Sequence, residues 1–152
     1  MVIILKCISF SILIVLSFYD LKYLKLPNLL IFISYSLGII NFLILYLNLQ
    51  LIYGLAFGFC FFYLLYLLFP KGIGFGDVKL AGAIGLFLGF RLTILAVLLS
   101  FFSGAIVGLL LIALGKKTMK DPIPFGPFLA FGAIFSMFFG EYIIDWYLNL
   151  FI

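Results

Sequence analysis

The sequence predicts an all-α, polytopic membrane protein, a bundle of about six transmembrane helices. Hydrophobic residues make up 68% of the 152 residues and charged residues only 9%. Mean hydropathy is +1.45, far above that of a typical soluble domain. Most of the charged residues lie between long apolar runs. Because this length is typical of one domain, we expect residues 1–152 to form a single integral-membrane domain.

Charged, proline, glycine and asparagine residues divide the apolar runs into candidate spans, judged against the roughly 20 residues that cross a bilayer. The spans cover residues 2–19, 29–47, 51–69, 78–90, 92–114 and 127–148. The fourth reaches only about 20 Å at about 1.5 Å per residue, so we expect it to continue past Arg91 or to end below one membrane surface. The first run also suits a signal peptide, since Lys6 precedes an apolar stretch within it, but no A-x-A-like site follows and a span is favoured.

Basic residues predict how the chain is oriented. Those in the connections before the second, fourth and sixth spans are Lys22, Lys25, Lys71, Lys79, Lys116, Lys117 and Lys120. By the positive-inside rule these connections face the cytoplasm and the N-terminus lies outside, in a multi-pass protein of the plasma or inner membrane. Only Lys6 and Arg91 oppose this orientation. The net charge of +4 is thereby explained by topology, and we expect no nucleic-acid partner.

Small residues recur four positions apart in several spans, a pattern that permits close helix contact in lipid. The longest stripe, in the fourth span, is Ala81, Gly85 and Gly89. Shorter ones are Gly54 with Gly58, Gly104 with Gly108, and Gly132 with Ser136 and Gly140. We therefore expect a compact bundle in which the fourth span packs tightly against its neighbours.

Two acidic residues lie at span ends that the predicted topology places on the same side. Asp20 ends the first span, and Asp77 begins the fourth after a glycine-rich turn. An ionisable residue there indicates a functional site, although an aspartate at this position also suits a helix N-cap. Two facing carboxylates in a partly dry site share one proton, so that one activates water while the other donates to a scissile carbonyl. The chain has no histidine, so a Ser-His or Cys-His nucleophile is excluded.

No metal site or cofactor is predicted. Cys7 and Cys60 are isolated within apolar runs, and the sequence contains neither histidine nor a Cys-x-x-C motif. A zinc site or a disulfide framework needs clusters of such residues.

A small cation- or proton-coupled transporter using the same acidic pair is an alternative. Six spans, glycine breaks and paired acids fit such a protein. Transporter sites lie near the bilayer midplane, however, whereas Asp20 and Asp77 lie at span ends. Hydrolysis is therefore the favoured interpretation.

Three ordered motifs resemble the type IV prepilin peptidases, membrane aspartic proteases of the GxGD class. Asp20 is followed at short spacing by Pro27-Asn28, similar to the family's first catalytic motif. Gly74-Phe75-Gly76-Asp77-Val78-Lys79-Leu80 resembles its G-x-G-D-x-K-L motif. Pro124-Phe125-Gly126-Pro127-Phe128 is similar to a segment late in the family's chain.

The resemblance implies roles for particular residues. Asp20 and Asp77 would be the catalytic pair, with Gly74 and Gly76 as motif glycines. Pro27 and Asn28 would end the first cytoplasmic connection, because proline suits the first turn of a helix. The prolines and glycine of the late motif, Pro124, Gly126 and Pro127, would shape a non-helical approach to the sixth span beside the site, or simply terminate a loop. Lys79 would steady a carboxylate or extend to the membrane interface, and the second is favoured.

Departures from the fuller bacterial pattern limit what the resemblance implies. Longer members carry an N-terminal extension with paired Cys-x-x-C motifs, linked with N-methylation of the trimmed product. We expect this extension to be missing, which favours cleavage and places methylation in doubt. The chain is closer to short, peptidase-only members, including archaeal preflagellin peptidases. Presenilin and signal peptide peptidase share a Tyr-Asp and GxGD pair, but on consecutive spans.

The resemblance also implies the partners. Substrates of the family are prepilin-like or preflagellin-like proteins, with a short basic leader ending in glycine before a hydrophobic helix. Such a helix would lie among the spans while its leader meets a site at the cytoplasmic face. Because both leader and loops are basic, contacts with anionic membrane lipid are expected to assist binding.

Overall fold

The structure is a computed structural model that describes residues 2–45, 47–69, 72–118 and 121–150. Within these ranges the chain forms six helices and no strands. They are α1 (Val2–Tyr23), α2 (Asn28–Ile44), α3 (Leu49–Leu68), α4 (Phe75–Leu88), α5 (Phe90–Ala113) and α6 (Gly126–Asn149). Lys71 and Lys120, on which the predicted orientation partly rests, lie outside the described residues.

The all-α prediction is confirmed, and four helices are long and apolar enough to cross a membrane. These are the segment Ile4–Tyr23 of α1 and the whole of α3, α5 and α6. Helix α2 has 17 residues and α4 has 14, so both are shorter than a standard span. A helix satisfies its own backbone hydrogen bonds, which is why lipid-embedded chains adopt this structure.

The boundaries of the fourth span differ from the prediction of residues 78–90. Helix α4 begins three residues earlier, with Gly74 as its N-cap, so Asp77 lies within its first turn. It ends at Leu88 because Gly89 adopts a φ of +83° and Phe90 already begins α5. A positive φ is a conformation that glycine adopts without steric cost. The fourth helix therefore stops short and does not continue past Arg91.

Two other helices also end at residues that differ from the prediction. Helix α1 continues to Tyr23, beyond the predicted end at residue 19, and Leu24 then takes a φ of 51°. Asp20 thus lies in the last turn of α1 instead of at its end. Helix α2 stops at Ile44, before the predicted residue 47, where Leu47 has a φ of 61°. Such left-handed residues end a helix because its hydrogen-bond pattern cannot continue through them.

Helix α4 is the centre of the bundle. It contacts α2, α3, α5 and α6, while α1 packs against α2 and α6. Between Asp77 and Leu86 every residue except Lys79 is buried. The short central helix is therefore surrounded by protein, and the longer helices present their apolar faces outward, with Phe102 and Leu109 on α5 among the most exposed residues.

The glycine stripes of α3 and α4 face each other, which agrees with the predicted tight packing of the fourth span although the sequence did not name α3 as its partner. A Cβ atom added at Gly54 would overlap the carbonyl oxygen of Gly85, and one added at Gly58 would overlap that of Ala81. The two backbones are therefore in direct contact. Gly132 of α6 lies equally close to the carbonyl oxygen of Ala96 on α5.

This contact predicts the effect of adding one methyl group. Gly58→Ala should destabilise the protein by about 1–3 kcal/mol, because the methyl group meets a backbone atom that cannot move aside. Gly108→Ala is the matched control, since its Cβ would lie 3.4 Å from the Ile123 side chain. Both changes raise helix propensity by about 1 kcal/mol. Thermal unfolding in detergent measures the difference, and equal melting temperatures would contradict this account of α3–α4 packing.

Candidate active site

Asp20 is held between the last turn of α1 and the first turn of α6. Its side chain is only 6% exposed. The backbone N–H of Gly126 donates a hydrogen bond to its Oδ2 atom at 2.8 Å. Gly126 is the first residue of α6, where N–H groups lack helical partners and the helix dipole favours a negative charge. Asp20 therefore receives a backbone donor from the helix farthest from it in the sequence.

Gly126 is the residue that allows this approach. A Cβ atom there would lie 2.7 Å from Oδ2 of Asp20 and 3.1 Å from its Cγ. The preceding residues 121–125 are not helical, and Pro127 follows in the first turn of α6. Phe125 fixes this approach by packing its ring 5.0 Å from that of Phe101 and 5.8 Å from that of Phe62, measured between centroids. The segment from Pro124 to Pro127 thus lies beside Asp20.

Asp77 is held by the first turn of its own helix. The N–H of Gly74 donates to Oδ2 of Asp77 at 3.2 Å, and the N–H of Asp77 donates to the Gly74 carbonyl at 3.0 Å. This reciprocal arrangement is the acidic half of a capping box, in which Gly74 is the N-cap and Asp77 caps the helix from its first turn, not from the N-cap position that the sequence suggested. Its other oxygen, Oδ1, is buried and has no hydrogen-bond partner among the described residues. Capping therefore engages only one of the two oxygens.

Both carboxylates line one cavity of about 340 Å³. Asp77 is 7% exposed, almost as buried as Asp20, and the two side chains interact electrostatically. The remaining wall comes from the connection between α1 and α2, from the first turn of α4, and from Asn28 and Lys79. Two like charges that line one cavity repel each other.

Lys79 and Asn28 form a polar link across this cavity. The Nζ atom of Lys79 donates to Oδ1 of Asn28 at 3.1 Å and lies 5.2 Å from the centroid of the Phe75 ring. Pro27 precedes Asn28 as the N-cap of α2, with a φ of −68°. Within the described residues, Lys79 forms no ion pair with either carboxylate. Its amine therefore joins α4 to the start of α2 instead of steadying a charged aspartate directly.

The presence of glycine at the two motif positions is explained by different physical constraints. A Cβ atom at Gly76 would lie 3.1 Å from Cβ of Leu26, so the first turn of α4 packs directly on the α1–α2 connection. At Gly74 the nearest atom would be Oδ2 of Asp77 at 3.4 Å, an ordinary contact, and its φ is −78°. The limited space therefore favours glycine at position 76, whereas a side chain at position 74 would lie against the Asp77 carboxylate.

The other acidic residues lie elsewhere. Asp121 accepts hydrogen bonds from the backbone N–H and the hydroxyl of Thr118, and this backbone bond is the main reason that its pKa is lowered. Glu141 and Asp145 lie in the second half of α6, away from Gly126. No group of three potential metal ligands occurs in the part of the chain that the structure describes. Among the described acids, Asp20 and Asp77 are thus the two buried ones, and they line one cavity.

The sequence did not reveal that Gly126 donates to Asp20. A proline-flanked helix start does signal unpaired N–H groups, but nothing in the motif says which acceptor they meet. The link between Lys79 and Asn28 was missed for the same reason, since the two residues lie 51 positions apart. Both contacts depend on how helices pack, which local spacing does not encode.

Fold and site together define an integral membrane protein with a buried carboxylate pair at the end of a helix bundle. The chain belongs to the type IV leader peptidase family, whose model matches residues 7–109. That match contains Asp20 and Asp77 but ends before the motif around Gly126. No solved structure matches the chain.

Three curated relatives carry the same name, prepilin leader peptidase/N-methyltransferase. The Pseudomonas aeruginosa protein is 32% identical over 144 residues, covering 90% of this chain and 50% of the relative. The Bacillus subtilis protein is 33% identical over 97 residues, 64% of this chain and 39% of the relative. The Legionella pneumophila protein is 40% identical over 77 residues, covering 51% of this chain and 27% of the relative. The chain thus spans half or less of the length of these relatives.

The contact between Gly126 and Asp20 predicts energetic coupling between α6 and α1. Gly126→Ala should destabilise the protein because the new methyl group displaces the Asp20 carboxylate from its donor. In an Asp20→Ala background the same change should cost about 0.5–3 kcal/mol less, the usual range for residues in direct contact. A double-mutant cycle measured by unfolding in detergent gives this coupling. Additive effects would mean that the hydrogen bond does not hold the two helices together.

Proposed function

We propose that the chain is a membrane-embedded aspartic endopeptidase that removes the leader from prepilin-like or preflagellin-like substrates. Asp20 and Asp77 are the catalytic pair in this proposal. The observation that carries it is the shared cavity: two buried carboxylates from different helices line one space in a chain of a leader peptidase family. We propose further that residues 1–152 act as one integral-membrane peptidase domain.

The chemistry follows from one proton shared by two carboxylates. The ionised aspartate takes a proton from a water molecule, and the water oxygen attacks the carbonyl carbon of the scissile peptide bond. The protonated aspartate donates a hydrogen bond to the carbonyl oxygen and stabilises the charge that develops there. Transfer of a proton to the leaving nitrogen then breaks the C–N bond and restores the pair. Neither a metal nor a covalent intermediate takes part in these steps.

The surroundings of the two aspartates suit these roles. Gly126 and Gly74 each occupy one oxygen of a carboxylate and so fix its orientation. This leaves Oδ1 of Asp77, which is buried without a partner among the described residues, to bind the water or carry the shared proton. A preorganised pair loses little free energy to reorientation during the reaction.

The location of the site suits a substrate that is itself embedded in the membrane. Asp20 lies in the last turn of α1 and Asp77 in the first turn of α4, so the cavity is near the ends of the helices. A hydrophobic substrate helix would lie against the bundle while its leader reaches the cavity. By the distribution of lysines this end faces the cytoplasm, where anionic lipid attracts basic leaders.

The same location removes the support for a transporter. A transport site is expected near the middle of the bilayer, built from broken helices. Asp20 and Asp77 instead lie in terminal turns, and neither helix is interrupted at its aspartate. The proposal is also limited to cleavage, although the names of the relatives include a methyltransferase activity.

Substitution of either aspartate tests the mechanism. Asp20→Asn and Asp77→Asn should each lower cleavage by about 10²–10⁴-fold or more, because an amide neither accepts the water proton nor carries the shared one. The assay follows cleavage of a synthetic segment with a basic leader, a glycine and a hydrophobic helix, using detergent-purified protein and mass spectrometry. Asp145→Asn, an exposed acid on α6, is the control and should cleave normally. Cleavage by either active-site variant at the control rate would disprove the assignment.

Lys79 gives a second, graded test. Lys79→Gln should lower cleavage by less than about tenfold, because the lysine bonds to Asn28 and does not pair with a carboxylate. The amide of the introduced glutamine is a donor that can replace the amine toward Asn28, so we expect the link between α4 and α2 to be kept. Separate values of kcat and KM from the same assay show whether the substitution affects the catalytic step or substrate binding. A loss as large as that of the aspartate variants would assign Lys79 a direct role in the chemistry.

A further inference from the structure

A second polar cavity lies at the opposite end of the bundle. Its volume is also about 340 Å³, and its wall includes Lys6 of α1, Arg91 in the first turn of α5, and Glu141 of α6. Lys6 precedes Asp20 on α1 by about four turns, which places the two cavities roughly 20 Å apart along the helix axis. The chain therefore has a polar cavity near each end of its helices.

The cations of this cavity are the two basic residues that oppose the predicted orientation. Lys6 and Arg91 lie 85 positions apart in the chain, yet the fold brings them to one wall. Basic residues at the outer side of a membrane are unfavourable for insertion in this orientation. Their convergence on a single cavity points to a ligand as the reason for their presence.

The cavity carries a net positive charge and a fixed polar wall. Lys6 and Arg91 outnumber Glu141, and within the described residues neither cation forms an ion pair with an acid. Asn41, which is 5% exposed, is held in the wall by a hydrogen bond from its side-chain amide to the carbonyl of Phe87 at 3.0 Å. These features suit an anion that accepts hydrogen bonds from both lysine and arginine.

We propose that this cavity binds the phosphodiester of a phospholipid headgroup, with Lys6 and Arg91 as its ligands. Arginine offers a planar pair of donors that matches phosphate, and lysine adds a compact charge. The cavity lies near the helix ends, where headgroups are found. Apolar residues that line the same cavity, Leu45 and Phe90, are more than a third exposed and offer an apolar surface beside the two cations. A membrane lipid is therefore the source of phosphate that this position favours.

Lipid binding to the purified, detergent-solubilised protein tests the proposal by native mass spectrometry. Phosphatidylglycerol should bind, whereas diacylglycerol, which has the same tails but no phosphate, should not. The double variant Lys6→Gln/Arg91→Gln should bind phosphatidylglycerol at least about tenfold more weakly. The matched control is Lys22→Gln/Lys116→Gln, which removes two exposed cations outside this cavity and should bind as the unchanged protein does.

Glu141→Gln tests the proposal through a change in affinity of the opposite sign. This test stays valid even if the double variant does not fold. Removal of its negative charge should tighten phosphatidylglycerol binding severalfold, because the repulsion of the phosphate is lost. Unchanged or weaker binding in this variant would overturn the proposal, as would equal losses in the double variant and its control. Inorganic phosphate that binds as tightly as phosphatidylglycerol would overturn the assignment to a lipid. Asp77→Asn should leave lipid binding unchanged, so the result is independent of the proposed peptidase activity.

Discussion

The structure depends on how two carboxylates are kept in the interior of a membrane protein. Burying a charge away from water is costly unless hydrogen bonds compensate for the lost hydration. Here the compensation comes from backbone N–H groups at two helix starts: Gly126 donates to Asp20, and Gly74 donates to Asp77. Such donors carry no charge and cannot rotate away. Among the residues that the structure describes, the carboxylates are therefore stabilised without an ion pair that would neutralise them.

This constraint explains the position of α4. Asp77 lies in the first turn of the helix and lines the same cavity as Asp20, so the start of α4 faces the end of α1 across that cavity. The glycines of α3 and α4 allow the two backbones to touch, and they set the depth of α4 in the bundle. Because protein surrounds α4, this helix need not reach the length of a standard membrane span, and it has only 14 residues. A short helix in the centre is compatible with a membrane protein because its ends contact protein and the cavities.

Much of the fold could be predicted from hydropathy because a segment that crosses lipid must be largely apolar. The six helices, the close contact of the glycine stripes and the separation of Asp20 and Asp77 from the other acids all follow from residue types and spacing. The ends of helices were predicted less well. Leu24 and Leu47 adopt left-handed φ angles although leucine gives no local signal for a turn.

For the candidate site too, the sequence predicted the individual segments but not how they meet in space. The glycine-rich turn before Asp77 and the proline motif around Gly126 marked both places in the sequence. What the sequence could not provide is their three-dimensional relation: the hydrogen bond from Gly126 to Asp20, the link between Lys79 and Asn28, and the placement of Lys6 and Arg91 on one cavity. Each joins residues far apart in the chain. The side chains that meet are set by crossing angles and helix rotation, which depend on the packing of the whole bundle.

The hydrogen bond between Asp20 and Gly126 has a consequence for biosynthesis. The two residues lie 106 positions apart, and ribosomes add about 5–20 residues per second. During synthesis, Asp20 must therefore remain without this donor for about 5–20 seconds while the intervening helices enter the membrane. Water at the membrane surface can hydrate the carboxylate during this interval because it lies near a helix end. Asp20 gains its backbone donor only when α6 docks, so a nascent chain that lacks α6 holds both aspartates but not the hydrogen bond that orients Asp20.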